Sequence, residues 1–217
     1  MTIDVKICGL TRAEDMKACA TLGVRWVGLV FHPASPRCVH PEQAAQLHAA
    51  IPAPAQNGPF RVGLFVKPTY DQIAEVLKHV PLDILQLYTD EATALSLKAR
   101  TGRSVWLARG IAQQDDLPVS ASLDGYVIEA PAQKGDTRPG GLGRTFDWKL
   151  TSRWQAPAPW LLAGGLTPDN VSKAIQVSNA PAVDVSSGVE EAPGIKSALL
   201  IEKFVKNSQK RACTSGE

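Results

Sequence analysis

The sequence is poor in the features that mark several large classes of protein. Its purely apolar runs are only a few residues long, far short of the roughly 20 that a membrane-crossing helix needs, so no membrane partner is expected. Neither charge predominates: 23 Lys and Arg face 21 Asp and Glu, a formal net charge of +2. Binding to nucleic acid calls for a larger basic excess, which leaves room only for a local basic pocket. The four cysteines, at 8, 19, 38 and 213, form no CxxC pair and no regular spacing. That excludes the usual disulfide frameworks and zinc knuckles, and the thiols read as reduced ones in a cytoplasmic protein. The histidines show neither HxH nor HxxxH spacing: His48 and His79 fall in helical segments, His32 and His40 in a loop. No metal site is expected. The opening MTIDVKICGL has no basic stretch followed by an apolar one, so no signal peptide is expected either.

What the sequence does have is alternation. Eight short apolar runs, 3–9, 25–31, 60–66, 83–88, 104–110, 124–130, 159–165 and 181–187, are separated by segments of helical period or helix-sized gaps. Nearly continuous apolar runs suit parallel strands covered on both faces. Thr11, with Glu14 three residues on, reads as a capping box. Pro41, Pro68-Thr69, Asp90-Glu91 and Thr167-Pro168-Asp169 open further helices, and Gly102 ends the fourth. Pro193-Gly194 leads into an amphipathic last helix, IKSALLIEKFVKN, while the fifth and sixth gaps hold only short or irregular helices. The length is ample for one core and short for two. These units predict an α/β chain closed into a single compact (β/α)8 TIM barrel over 1–206, with 207–217 a frayed tail. An open doubly wound sheet is the alternative; the even strand spacing, and the lack of GxGxxG after the first strand, favour the barrel.

A barrel gathers its functional groups at the C-terminal ends of its strands, and that rule yields a short list. Gly164-Gly165, directly before a helix start, and Ser186-Ser187-Gly188, after the next strand, are candidate phosphate sites: without Cβ atoms the backbone approaches an anion closely. Either pair alone reads equally well as an ordinary turn. Cys8 ends the first strand beside Lys6, where nearby cations would favour a thiolate able to act as a base. A buried structural thiol is the commoner fate of a free cysteine, and that reading is preferred for Cys19 and Cys38, with Cys213 a tail thiol. Glu129 ends the apolar run GYVIE and is a candidate proton donor, since partial desolvation raises a carboxyl pKa; a salt bridge to Lys134 or Arg138 is the ordinary reading. Asp184 is a second carboxylate candidate, placed with Arg37 as a substrate ligand, and equally readable as an acceptor for loop amides. Arg37 could clamp a carboxylate or phosphate, although a lone Arg is more often a solvated charge.

Several of these segments together resemble the phosphoribosylanthranilate isomerase family. They are KICGLTR (6–12), VGLVFHPASPR (27–37), VGLFV (62–66), PGGLGRTFDW (139–148), LLAGGLTPDNV (161–171) and AVDVSSGVEEAPGIK (182–196), in family order from residue 1 to about 205. The resemblance implies an Amadori rearrangement of a sugar phosphate in tryptophan biosynthesis, without cofactor or metal; the expected partner is the small-molecule substrate, and the chain is read as a monomer. It implies Cys8 as general base, Arg37 at the anthranilate end and the last two strand loops as phosphate sites. Two positions depart from the family pattern. Glu129 stands where an Asp is usual, and Tyr88-Thr89 where His-Gly commonly follows Gln-Leu. Those departures support an alternative, a weakened or non-catalytic sugar-phosphate-binding barrel of the same family. An aminoimidazole-ribotide isomerase would share the phosphate loops, but it should carry paired aspartates where this chain has Cys8 and Arg109.

Overall fold

The computed structural model describes residues 2–133, 135–136, 140 and 143–210. Eight parallel strands close into a barrel in sequence order: β1 (Asp4–Cys8), β2 (Trp26–Val30), β3 (Phe60–Val66), β4 (Ile84–Tyr88), β5 (Ser104–Gly110), β6 (Gly125–Glu129), β7 (Trp160–Leu162) and β8 (Ala182–Val185). The seam is the β1–β8 pairing, with Lys6 level with Asp184. Around the sheet lie α1 (Ala13–Thr21), α2 (Pro41–Ala49), α3 (Tyr70–His79), α4 (Glu91–Thr101), α5 (Val171–Ser178) and α6 (Ala198–Ser208). After β5 and β6 the described residues form only short 3-10 turns, Gln114–Asp116 and Trp148–Thr151, as the gap lengths suggest. Among the described residues no helix is long and apolar enough to cross a membrane.

Each strand divides its side chains between two environments, because successive Cβ atoms point to opposite faces. Val5, Ile7, Leu85, Leu87, Tyr126, Ile128, Val183 and Val185 pack outward against the helices. Trp26, Val62, Ile84, Trp106, Val127, Leu161 and Ala182 fill the interior, where the two indoles meet edge to face at 5.2 Å. Counting in twos from these interior residues places Lys6, Cys8, Gln86, Tyr88, Glu129 and Asp184 inside the barrel as well. The interior is therefore apolar at one end and polar at the other, and the polar end is where the strands finish.

Local signals account for most helix boundaries. The Thr69 hydroxyl accepts from the Gln72 amide, and the Gln72 side chain accepts from the Thr69 amide, a full capping box for α3. Asp90 caps α4 through the Thr93 amide, and Gly102 ends it at φ 64°. Two expectations are corrected. Thr11 does not cap α1: its hydroxyl donates to the Gly194 carbonyl at 2.6 Å, and the helix starts after Arg12. Nor does α6 begin at Ile195. Pro193-Gly194 is the turn of a small hairpin, β9 (Glu190–Ala192) and β10 (Ile195–Lys196), and the helix starts at Ala198. At the other end α6 runs to Ser208, two residues past the boundary expected at 206. Gln209 both accepts from the Ile3 amide and donates to its carbonyl. Cys213, with the rest of the tail from residue 211, lies outside the described residues.

Candidate active site

One cavity opens at the C-terminal end of the barrel. Cys8, Arg37, Glu129, Gly164, Gly165, Asp184, Ser186 and Ser187 all line it, together with His32, Gln86 and Tyr88. Cys8 and Glu129 are each about 5% exposed, and both face this space rather than the packing beneath the helices. Gly188 is the exception among the residues singled out from sequence. A Cβ there would collide with the Leu166 carbonyl oxygen, so this glycine lets the loops after β7 and β8 touch backbone to backbone.

Cys8 sits in a dense charge network. Gly28, level with it on β2, leaves room for the sulfur: a Cβ at 28 would lie 2.9 Å from Sγ. Beneath the thiol, the fully buried Lys6 ammonium donates to Asp184 at 2.9 Å. Burial alone would pull the Lys6 pKa down, but the negative charges of Asp184 and Cys8 outweigh it and the net direction is up. For Cys8 burial dominates and raises the pKa; Lys6 opposes it, Asp184 adds to it and Lys196 opposes it. The net direction is up, contrary to the lowering that a cationic neighbour suggested from sequence. Asp184 acts here as the acceptor for a buried lysine, a third role beside the two considered for it.

A second pair of charges adjoins the first. Arg37 grips Glu190 in bidentate fashion, Nε to Oε1 and Nη2 to Oε2 both at 2.7 Å. Lys196 reaches the same carboxylate at 2.8 Å and the Ser186 carbonyl at 3.0 Å. Burial would raise the Glu190 pKa, yet its two cationic partners hold it below the ordinary range. Burial pulls Lys196 down, since it receives only part of a carboxylate charge shared with Arg37. The Ser186 hydroxyl is occupied too, donating to the Cys8 carbonyl at 3.0 Å. Arg37 is thus no solvated surface charge but a buried one, aimed by a carboxylate.

The candidate phosphate residues after β7 sit in left-handed backbone. Gly164 and Gly165 take φ of 83° and 61°, a region that costs other residues. A Cβ at Gly164 would lie 2.8 Å from the Arg144 carbonyl oxygen, and one at Gly165 2.9 Å from that of Gly143. The loop after β6 therefore crosses directly over the glycine pair, next to Ser186 and Ser187. On the opposite rim the Tyr88 hydroxyl hydrogen-bonds Glu129. Burial, and then the Glu129 charge, push the phenol well above its ordinary pKa. Lys134 and Arg138, considered as ion-pair partners for Glu129, lie outside the described residues.

Sequence reasoning missed Glu190 and Lys196. The signal was present: a Pro-Gly dipeptide is a turn former, and reading 190–196 as a hairpin would have placed the two facing residues side by side. Cys19 is a core thiol, as expected, pushed up to about 12 by burial.

This geometry has known counterparts. A family model described as N-(5'phosphoribosyl)anthranilate (PRA) isomerase matches residues 5–207. An N-(5'-phosphoribosyl)anthranilate isomerase of Acidiphilium cryptum is 48% identical over 201 residues, covering 92% of this chain and 95% of that one. Among solved structures, the phosphoribosyl anthranilate isomerase of Thermotoga maritima is 34% identical with a TM-score of 0.82, over 95% of this chain and 98% of that one. A further isomerase structure, in complex with reduced 1-(o-carboxyphenylamino)-1-deoxyribulose 5-phosphate, is 33% identical over the same shares, with a TM-score of 0.79.

Proposed function

The chain belongs to the N-(5'-phosphoribosyl)anthranilate isomerase family, and we propose that it performs the Amadori rearrangement of tryptophan biosynthesis with Cys8 as general base and Glu129 as general acid. The substrate is N-(5-phosphoribosyl)anthranilate, and the product is 1-(2-carboxyphenylamino)-1-deoxyribulose 5-phosphate. One observation carries the assignment: a thiol and a carboxyl group, three strands apart around the barrel, line the same cavity beside two phosphate-sized loops.

The reaction needs a proton given at one atom and taken at another. Glu129 protonates the ribose ring oxygen as the C1–O bond breaks, and the nitrogen lone pair forms a Schiff base at C1. Cys8 then removes the C2 proton, and the electron pair moves towards the nitrogen to give an enolamine. Protonation at C1 and loss of the C2 hydroxyl proton complete the ketose. The substrate's own nitrogen is the electron sink, so the chemistry requires neither metal nor cofactor.

The charge network suits the base. Three cations, Lys6, Lys196 and Arg37, surround two carboxylates, Asp184 and Glu190. With a neutral thiol the cluster therefore carries one surplus positive charge, which a thiolate cancels. Arg37 uses Nε and Nη2 on Glu190, and Nη1 remains to meet the anthranilate carboxylate. Gly164, Gly165, Ser186 and Ser187 hold the phosphate mainly through backbone, with Gly188 joining the two loops. Every residue in this scheme comes from one chain, so a monomer suffices, and the reaction belongs in the cytoplasm with the rest of amino-acid biosynthesis.

Loss of anthranilate fluorescence as substrate converts to product is the direct assay. A folded protein that leaves that signal unchanged at saturating substrate would refute the activity, and the non-catalytic sugar-phosphate-binding alternative would take its place.

A further inference from the structure

We propose that Tyr88 is a positioning residue for the proton donor, its phenol hydroxyl holding the Glu129 carboxyl at the point in the barrel mouth where the ring oxygen is protonated. The inference rests on Glu129 being the acid.

The two side chains come from strands that are not neighbours. Strand β5 lies between β4 and β6, so Tyr88 and Glu129 start about 10 Å apart, two inter-strand spacings. What β5 puts into that gap is unusually small. Its inward residues at this height are Ala108 and Gly110, the latter level with Glu129. The lower inward position, Trp106, fills the barrel and closes the same gap one layer down. A tall aromatic on one side and a long carboxylic side chain on the other then meet over Ala108 and Gly110. Their contact is a hydrogen bond, and the pair forms the wall between the main cavity and an outer groove lined by Lys67, Pro68 and Asp90.

A second observation shows that the loop above is fitted to this pair. A Cβ on Gly140 would lie 2.5 Å from the Tyr88 hydroxyl, and it would also strike Glu129 Oε1. Glycine at 140 lets the backbone of the loop after β6 seat directly on the joined phenol and carboxyl. Glu129 Oε1 and the Tyr88 hydroxyl therefore lie against the same point of that loop. A flexible glutamyl side chain has one more rotatable bond than an aspartyl one, and a hydroxyl bound to one oxygen removes that freedom. A misplacement of about 1 Å costs on the order of 10²-fold in rate, so anchoring of this kind bears on kcat rather than on substrate affinity.

The test is a double-mutant cycle of Tyr88→Phe and Glu129→Asp, read in the fluorescence assay, with thermal unfolding run on every variant. Tyr88→Phe keeps the ring and removes only the hydroxyl. Its expected effect is a drop in kcat of about 10-fold with KM changed less than about twofold, from the loss of geometry at the acid. Glu129→Asp retains turnover but withdraws the carboxyl from reach of the phenol, so adding Tyr88→Phe to it changes kcat by less than about twofold. The full 10-fold loss in both backgrounds would show that Tyr88 acts elsewhere, and an unchanged kcat for Tyr88→Phe alone would overturn the proposal outright. Absence of turnover in the wild-type arm refutes the isomerase assignment itself, and with it the role given to Tyr88, whereas a normal wild-type rate beside an unaffected Tyr88→Phe refutes only the latter.

Discussion

The two sides of the barrel mouth solve opposite problems with opposite materials. At the β1–β8 seam, five charged side chains are packed around a buried thiol, each ion-paired with another. Across the opening, at β4 and β6, a single carboxyl group meets a phenol under a glycine loop. Holding a thiolate inside a protein requires compensating positive charge, and bringing that charge in requires further carboxylates to satisfy it, because unpaired buried ions cost several kcal/mol each, on the order of the whole stability of a domain. A proton donor has no such need. Its site has to keep the carboxyl in place, and on the proposed reading the Tyr88 hydroxyl contributes to that. On the proposed assignment, the base relies chiefly on electrostatics and the acid on placement.

Substitution should expose that asymmetry. Cys8→Ser leaves the charges in place and removes the sulfur; kcat should fall by about 10³-fold, within the range that one acid–base group contributes, while product still binds in an equilibrium titration. Retention of full rate would remove the thiol from the chemistry. Glu129→Gln, on the other side, should lower kcat by about 10²-fold with little loss of stability, and equal activity for the amide would show that no proton leaves this residue.

Lys6→Met strikes the electrostatic side where a geometric change would do little. It strands Asp184 without its buried partner, which should cost about 3–5 kcal/mol in denaturant unfolding. It also removes the first of the cations that oppose burial at Cys8. The sign follows directly: the thiol is already held above its ordinary value, the base form appears as pH rises, and without Lys6 it appears later still. The ascending limb of the kcat–pH profile should therefore move in the alkaline direction, and a shift towards acid would contradict the network. Smallest of all, Thr69→Ala touches neither side. Loss of the capping box on α3 should cost about 1 kcal/mol in unfolding and leave kcat as it was.

The parity of the strands made most of this legible in advance. Val127 inside and Ile128 outside force Glu129 inside, and the same count carries Cys8 and Asp184 to the mouth. Capping at Thr69 and Asp90 could be read from neighbouring residues alone, since those hydrogen bonds span three positions. Thr11 failed by the same logic: its local partner was available, but a carbonyl 183 residues away, at Gly194, took the hydroxyl. Lys196 was lost because its partners, Ser186 and Glu190, are brought to it by a hairpin that the helical period of the following segment concealed. The upward direction of the Cys8 pKa was equally beyond reach, since it depends on how much water burial removes.

Strand and helix order, the closed sheet and the identity of the inward-facing residues followed from periodicity, which is a property of the backbone and needs no knowledge of distant contacts. Which inward residues would touch was decided only on closure. Lys6 meets Asp184 because the last strand returns to the first, and Tyr88 meets Glu129 because the strand between them offers, at that height, only Ala108 and Gly110. Contacts across a barrel depend on the sizes of side chains from several strands at once, and no local stretch of chain contains that sum.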